Sequence, residues 1–322
     1  MTDPLALLRC PECRGELSDP GTCRDGGHSF PVRNGLVDYL AEESRPAAAA
    51  EVTDFYRRFP FPGYAPSDDA DALLERSRRS AFLVQLDEAI PTGATVLDAG
   101  CGTGQISAFL SLAAAGRTVV GVDACDASLA CATEFRDRVG IDNLHLCRGD
   151  LFRLPLAEEA FDVVISRGVV HHTPDPDGAT RSVAARVRPG GVFVIGFYEN
   201  VARVPHRTRR LLGKLRGEPF RVLDPVLRRR DFTEEKKRIW IADQYRHPLE
   251  RMLPLPDVVK VVEAEGFSWV RTVPPAVESG SMFDATPRPG PLGLLGRRLG
   301  WALSGLNDPD AGLVCVVFRR NG

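Results

Sequence analysis

An α/β fold, doubly wound around a mostly parallel sheet and preceded by a small N-terminal β unit, is what this sequence predicts. Three observations carry that expectation. Apolar strand segments alternate with helical patterns from residue 94 to residue 198, the rhythm of βαβ units. The stretch ATVLDAGCGTG, residues 94–104, reads as a buried strand running into a glycine-rich turn and then a helix. Ahead of it, residues 5–40 gather three cysteines and a histidine in a length of chain too short to support a core by itself.

In chain order, Cys10 and Cys13 form a C-x2-C knuckle, followed by Cys23 and His28. Three thiols and an imidazole make a closed tetrahedral zinc set, and a metal would supply the stability that the short segment lacks. FPVRNGLVDYL then reads as a strand, a turn at Asn34-Gly35 and a second strand. Residues 41–50, AEESRPAAAA, read as a low-complexity linker. The next stretch, DFYRRFPFPGYAP, is dense in proline, which opposes regular structure, while Phe55, Tyr56, Phe59, Phe61 and Tyr64 demand burial. Such a segment is either an arm packed on the core or a lid over a pocket, and both readings can hold together. From Asp71 to Ala89 the apolar spacing predicts one amphipathic helix, stopped by Pro91-Thr92-Gly93.

The centre of the chain follows. Gly100, Gly102 and Gly104 recur at every second position, so a ligand can lie against bare backbone there. The spacing is G-x-G-x-G rather than the dinucleotide fingerprint G-x-G-x-x-G, and Asp98 stands two residues ahead. A carboxylate so placed repels a diphosphate and suits an ammonium or a sulfonium. After a helix from Gln105, a second strand at 118–123 ends in Asp123, at the interval expected of an acid that accepts from ribose hydroxyls. A helix at 127–139 and a strand near 143–148 lead to RGDLFRLP, where Asp150 is placed to accept from an exocyclic amine. Strands at 161–166 and 191–198 flank a helix at 177–187, and Ser166-Arg167 closes the first of them. In such sheets the ligand lies at the carboxyl ends of the strands, where these acids and Arg167 fall.

Five segments agreeing in order and spacing from Ala94 to Tyr198 resemble the core of class I S-adenosylmethionine-dependent methyltransferases. The resemblance implies a Rossmann-like, seven-stranded sheet and S-adenosyl-L-methionine as cofactor. Asp98 would then lie near the methionine part, Asp123 at the ribose and Asp150 at the adenine, with Gly100, Gly102, Gly104, Gln105, Ala124, Leu151 and Arg167 completing the cofactor set. Residues 5–40 resemble the small zinc ribbon of the Trm112 type, which implies structural Zn2+ on Cys10, Cys13, Cys23 and His28. The expected domains are a ribbon at 1–40, a linker, aromatic lid segment and leading helix at 41–93, and a methyltransferase domain at 94–322 with acceptor-side insertions near 199–255 and 275–311.

Methyl transfer asks mainly for in-line approach of a nucleophile, plus a base where the acceptor is protonated. His171 and His172 directly follow the fourth strand on the acceptor side, where a histidine serves equally as a base or to order the loop. WIADQYRHPLERMLP gathers Trp240, Asp243, Gln244, Tyr245, Arg246 and His247, the density of polar and aromatic side chains an acceptor pocket uses, with Tyr245 and His247 as second-choice bases. SRGVVHHT contains no Asn/Asp-Pro-Pro-aromatic signature, which counts against methylation of an exocyclic base amine. Residues 203–238 carry thirteen Lys or Arg against five Asp or Glu, pointing to an anionic acceptor, an RNA or a membrane surface, with a helical lid as the plainer reading. Only Phe220 and Phe232 interleave with those charges, too few for a single-strand stacking platform. Leu292, Leu294, Leu295, Leu299, Trp301 and Leu303 mark a further helix, expected to cover the core.

A net charge of −2 decides nothing about nucleic acid, and the 43% hydrophobic and 26% charged composition is that of a globular protein. The other five cysteines sit in apolar elements as small hydrophobes. No apolar run has membrane-spanning length and the N-terminus lacks a signal-peptide pattern, so a cytoplasmic protein is expected. The function expected is S-adenosylmethionine-dependent methylation of a small, possibly anionic molecule at O, N or C. The alternatives are an RNA base methyltransferase and, in another class, a cofactor-binding scaffold that transfers nothing. Oligomeric state is not legible.

Overall fold

A computed structural model describes residues 2–40, 46–65, 67–217, 219, 223–229, 233–273, 280–306 and 312–322. Residues 41–45 of the expected linker, Phe220, Phe232, residue 274, and residues 275–279 and 307–311 of the second insertion lie outside the described residues.

The N-terminal unit opens with a single helical turn, α1 (Pro4–Leu7), capped by the Asp3 side chain. Strands β1 (Leu17–Asp19) and β2 (Thr22–Cys23) pair antiparallel, and β3 (Val32–Arg33) and β4 (Leu36–Asp38) form the expected hairpin. Its turn uses Asn34 at φ 52° and Gly35 at φ 75°, the left-handed pair that a two-residue hairpin requires. Helix α2 (Ala47–Arg58) occupies the place where a linker and an irregular segment were expected. The reason is local: Pro46 sits at the N-cap, where no backbone donor is lost, four alanines follow, and the remaining prolines begin only beyond Phe59. The single helix expected over 71–89 is two, α3 (Ala70–Arg78) and α4 (Ala81–Ala89). Ser80 breaks it, because its hydroxyl accepts from Leu83 N and starts a new helix.

Strand and helix then alternate as expected: β5 (Thr95–Ala99), α5 (Gln105–Ala113), β6 (Thr118–Asp123), α6 (Asp126–Val139), β7 (Leu144–Arg148), β8 (Phe161–Arg167), α7 (Pro176–Ala184) and β9 (Val187–Tyr198). Helices α8 (Val204–Arg216) and α9 (Glu234–Arg246) fill the first insertion. Helix α10 (Leu255–Ala264), β10 (Phe267–Val273), α11 (Pro291–Ser304) and β11 (Leu313–Arg320) finish the chain. The sheet runs β10-β11-β9-β8-β5-β6-β7-β4-β3. Its first seven strands are the seven expected, parallel except for antiparallel β11. The last two are the hairpin of the N-terminal unit, which extends the sheet through parallel pairing of Val37 with Cys147 and Asp38 with Arg148. Arg148 and Asp38 also form a buried ion pair at 2.9 Å.

Successive side chains on a strand face opposite sides, so the central strands are apolar throughout and feed two cores. Val96, Val119, Ile165 and Val194 pack under α3 to α6, with Leu73, Leu86, Phe109 and Phe135. Leu97, Val120, Val164 and Ile195 pack under α7, α10 and the N-terminal unit, with Val183, Val259, Leu7 and Tyr39. The strand ends are thereby fixed from both sides, which is what holds the site rigid.

Candidate active site

The site begins where β5 runs out. Gly100, Gly102 and Gly104 have φ of 82°, 55° and 74°, all in the left-handed region that disfavours side chains. A Cβ on Gly100 would meet Val169 Cγ1 at 2.4 Å, and one on Gly104 would meet Ala132 Cβ at 2.9 Å. Gly104 is thus a packing glycine at the start of α5, while Gly100, Gly102 and Gln105 line a cavity of about 520 Å³. The same cavity is lined by Asp98, Asp123, Ala124, Asp150, Leu151 and Arg167. Apart from Gly104, every expected cofactor-site residue therefore borders one space.

The three acids are held in different ways. Asp98 is buried and accepts from Ser107 Oγ at 2.6 Å. Burial raises its carboxyl to about 6; the Ser107 bond opposes the rise and the nearby Asp123 adds to it. Asp123 accepts from Gly102 N through Oδ2 and from Cys125 N through Oδ1, both at 2.8 Å, so it ties the glycine turn to β6. Asp150 lies two residues beyond β7 and accepts from Phe152 N at 2.9 Å. Arg167 lies over the Phe82 ring at 4.9 Å, with its Nε buried and unbonded among the described residues.

The proline-rich segment crosses directly above the glycine turn. Thr103 Oγ1 donates to the Pro62 carbonyl and Gln105 Nε2 donates to Gly63 O at 3.0 Å. Tyr64 stacks on Phe135 at 4.2 Å, anchoring the far end. Phe61, Pro62 and Tyr56 border the cavity, so this segment is both a packed arm and a cover.

Beyond the carboxylates, the cavity is walled by His172, Tyr56, Tyr198, Trp240, Asp243 and Gln244. His172 Nδ1 donates to Leu249 O at 2.8 Å, which leaves Nε2 as the acceptor nitrogen. Burial, reinforced by His247, pushes its pKa well below the ordinary histidine value, so the ring is neutral. His171 does not border the cavity: it is fully buried against Tyr198 and His172, at 4.1 Å each, and neither ring nitrogen has a partner among the described residues. His247 packs behind His172 at 3.9 Å and accepts from Leu249 N, again outside the cavity. Burial lowers its pKa to about 4. Tyr245 points elsewhere, donating to Asp224 Oδ2 at 2.6 Å, because the helical step from Asp243 turns it to the opposite side of α9.

Asp243 is an acceptor-side acid that the sequence places in the pocket-forming span but not among the candidate bases. Its carboxylate accepts from Gln244 Nε2 at 2.7 Å and from Tyr56 OH at 3.4 Å, and burial raises it to about 6. Arg203 stacks over Tyr198 at 3.7 Å and donates to Gln244 Oε1 at 2.9 Å, so this wall is one connected network. An acid within an aromatic-rich WIADQYRH span is the signal that pointed here.

In the N-terminal unit, one ligand atom from each of Cys10, Cys13, Cys23 and His28 lies within 4.8 Å of all the others. Cys10 Sγ is 3.4 Å from His28 Nδ1, and Cys13 Sγ is 3.5 Å from Cys23 Sγ. Gly26 N donates to Cys23 Sγ, which with His28 lowers that thiol to about 6. The donor chemistry and closeness fit a tetrahedral zinc ion.

Residues 97–195 match a family described as a methyltransferase domain. Over 197 residues the chain is 28% identical to an uncharacterized protein of Synechococcus, covering 54% of this chain and 47% of that protein. Over 130 residues it is 35% identical to a malonyl-[acyl-carrier protein] O-methyltransferase of Methylovorus, covering 39% and 44%. The chain thus spans less than half the length of these relatives. A chain from the complex between the Haloferax volcanii Trm112 methyltransferase activator and a methyltransferase superposes with a TM-score of 0.50 at 16% identity, covering 86% of this chain and 99% of that one. Matched segment and superposition agree on architecture: this chain has the class I methyltransferase fold, with its cavity at the carboxyl rim of that fold's sheet.

Proposed function

We propose that the protein is an S-adenosylmethionine-dependent methyltransferase acting on a small acceptor at O, N or C. The observation that carries this reading is a single cavity bordered by Asp98, Asp123 and Asp150 from three adjacent strands, above the Gly100 to Gly102 backbone. When bound, the cofactor supplies an electrophilic methyl group on a positively charged sulfur. The protein's own work is to hold and orient. Asp98 pairs with positive charge on the cofactor, Asp123 accepts from hydroxyls, and the Phe61 to Tyr64 segment excludes water. At the other end, His172 Nε2 or the Asp243 carboxylate takes a proton from the acceptor.

A small acceptor suits a wall of Tyr56, Tyr198, Trp240 and Gln244. RNA is supported less, since Arg203 and Arg209, two of the thirteen basic residues at 203–238, are buried and committed internally. We also read Cys10, Cys13, Cys23 and His28 as holding structural Zn2+, and the ribbon they form as a unit whose hairpin completes the sheet.

Calorimetry with S-adenosylmethionine, followed by detection of S-adenosylhomocysteine with a panel of small acids, phenols and amines, tests the reading. Absence of cofactor binding would refute it; binding without turnover on any acceptor would favour a scaffold. Activity on RNA that falls steeply between low and moderate salt would favour the nucleic-acid alternative.

A further inference from the structure

Helix α8 is turned inside out. Its buried face carries His206, Arg209 and Gly213, whereas Val204, Leu211 and Leu215 face solvent, Leu215 being 77% exposed. Hydrogen bonds fix the inversion: His206 Nε2 donates to Gln244 O, and Arg209 donates to Leu223 O and Gly305 O. Through the Gly305 contact, α8 lies beside α11, which repeats the pattern. Leu294 and Trp301 are buried, while Leu292, Leu295, Leu299 and Leu303 form an exposed stripe at helical spacing, Leu292 at 85%. The expectation that α11 covers the core therefore holds for two of its six large apolar residues.

Two neighbouring leucine faces would be a liability in water unless something covers them. Charge indicates what does. Neither helix contains an acid, and Arg207 and Lys214 stand exposed beside the α8 leucines, in a chain whose net charge is −2. A second copy related by a twofold axis would set these cations against their own images, which opposes pairing. A surface that accepts leucine while attracting cations is an anionic bilayer, and apolar side chains flanked by Lys and Arg are the signature of helices that lie in its interface.

We propose that α8 and α11 together dock the protein on anionic phospholipid membranes. Arg203, immediately before α8, reaches the cavity wall at Gln244, and Leu313, in the strand after α11, borders the cavity. The docking helices are therefore joined directly to the acceptor wall of the cavity.

The test is co-sedimentation of the full chain with vesicles of phosphatidylcholine alone, or mixed equally with phosphatidylglycerol. Binding to the mixed vesicles is expected, weakened by salt. The double variant Leu215→Asp, Leu299→Asp is expected to raise the lipid concentration for half-binding by at least about tenfold per leucine. Both sites are exposed, and unchanged calorimetry with S-adenosylmethionine verifies the fold. Charge reversal by Arg207→Glu with Lys214→Glu is expected to abolish the preference for phosphatidylglycerol. Failure of the wild-type chain to sediment with either vesicle would overturn the proposal. So would equal binding by the leucine variant, or a wild-type dimer that this variant converts to monomer.

Discussion

Replacing Asp98 with Asn separates stability from cofactor binding, and the two should move in opposite directions. Asp98 is buried, and its carboxyl is raised from 3.8 to about 6 chiefly by desolvation. A carboxyl raised in the folded state favours folding fully below the unfolded value; that contribution is lost as pH rises through the folded value. At pH 7 the buried charge therefore costs about 3 kcal/mol, at 1.36 kcal/mol for each pH unit. Asn is isosteric, keeps an oxygen for Ser107 Oγ and carries no charge. The cofactor-free variant should accordingly be more stable than wild type by up to about 3 kcal/mol at pH 7, with the gain vanishing near pH 4.

Cofactor affinity should respond the other way. Losing a charge-assisted bond to a cationic ligand costs about 1.5–3 kcal/mol, or roughly 10- to 150-fold in Kd. In the wild type the carboxyl must ionise to pair with that charge, so affinity should fall about tenfold between pH 7 and pH 5. Calorimetry across pH 5–8 and urea unfolding at pH 4 and pH 7 measure both quantities. An Asn variant that binds S-adenosylmethionine as well as wild type, or is less stable without it at pH 7, would refute the assignment of Asp98 as a strained carboxylate awaiting a cation.

Gly100→Ala places a Cβ against Val169 at a φ of 82°, so it should destabilise by about 1–3 kcal/mol and abolish measurable cofactor binding by calorimetry. His172→Ala should lower kcat while leaving the Kd for S-adenosylmethionine unchanged, whereas His171→Ala should lower the unfolding midpoint, because only His172 borders the cavity. Since His172 is already neutral at pH 6.5, kcat should be flat from pH 7 to 8, with an acid limb near 6 from Asp243, whereas the limb near 6 from Asp98 should fall on kcat/KM for the cofactor. Elemental analysis should find one zinc per chain, and Cys13→Ser should lose it.

What the sequence made legible is what local chemistry decides. The glycine turn and the Asn34-Gly35 hairpin need left-handed backbone, so their residues name themselves. The strands are apolar runs of ordinary length, and the carboxylates fall at their ends. The clustering of Cys10, Cys13, Cys23 and His28 could be read because their spacing is short. Long-range placement could not be read. Nothing about Val37 foretells that its backbone pairs with Cys147, 110 residues away, since a ladder is made of main-chain bonds that any sequence presents. Tyr56 and Asp243 come together across 187 residues, so their pairing leaves no local trace.

Helix α8 shows a deeper reason why the acceptor side resists sequence reading. Periodicity assigns the leucine face to the interior because apolar burial usually dominates. Here the interior is polar: beside the wall of Gln244, Asp243, Tyr198 and Arg203, His206 donates to Gln244 O, and further along α8 Arg209 donates to Leu223 O and Gly305 O. An unbonded buried polar group costs about 1–3 kcal/mol, comparable with the 1.5–3 kcal/mol gained by burying one leucine. Three such carbonyls beneath α8 therefore outweigh two leucines on its outer face. The inward polar face and the outward leucines are then one fact with a single cause, since a chain that turns His206 and Arg209 of α8 inward to main-chain carbonyls has only solvent, or a membrane, left for Leu211 and Leu215.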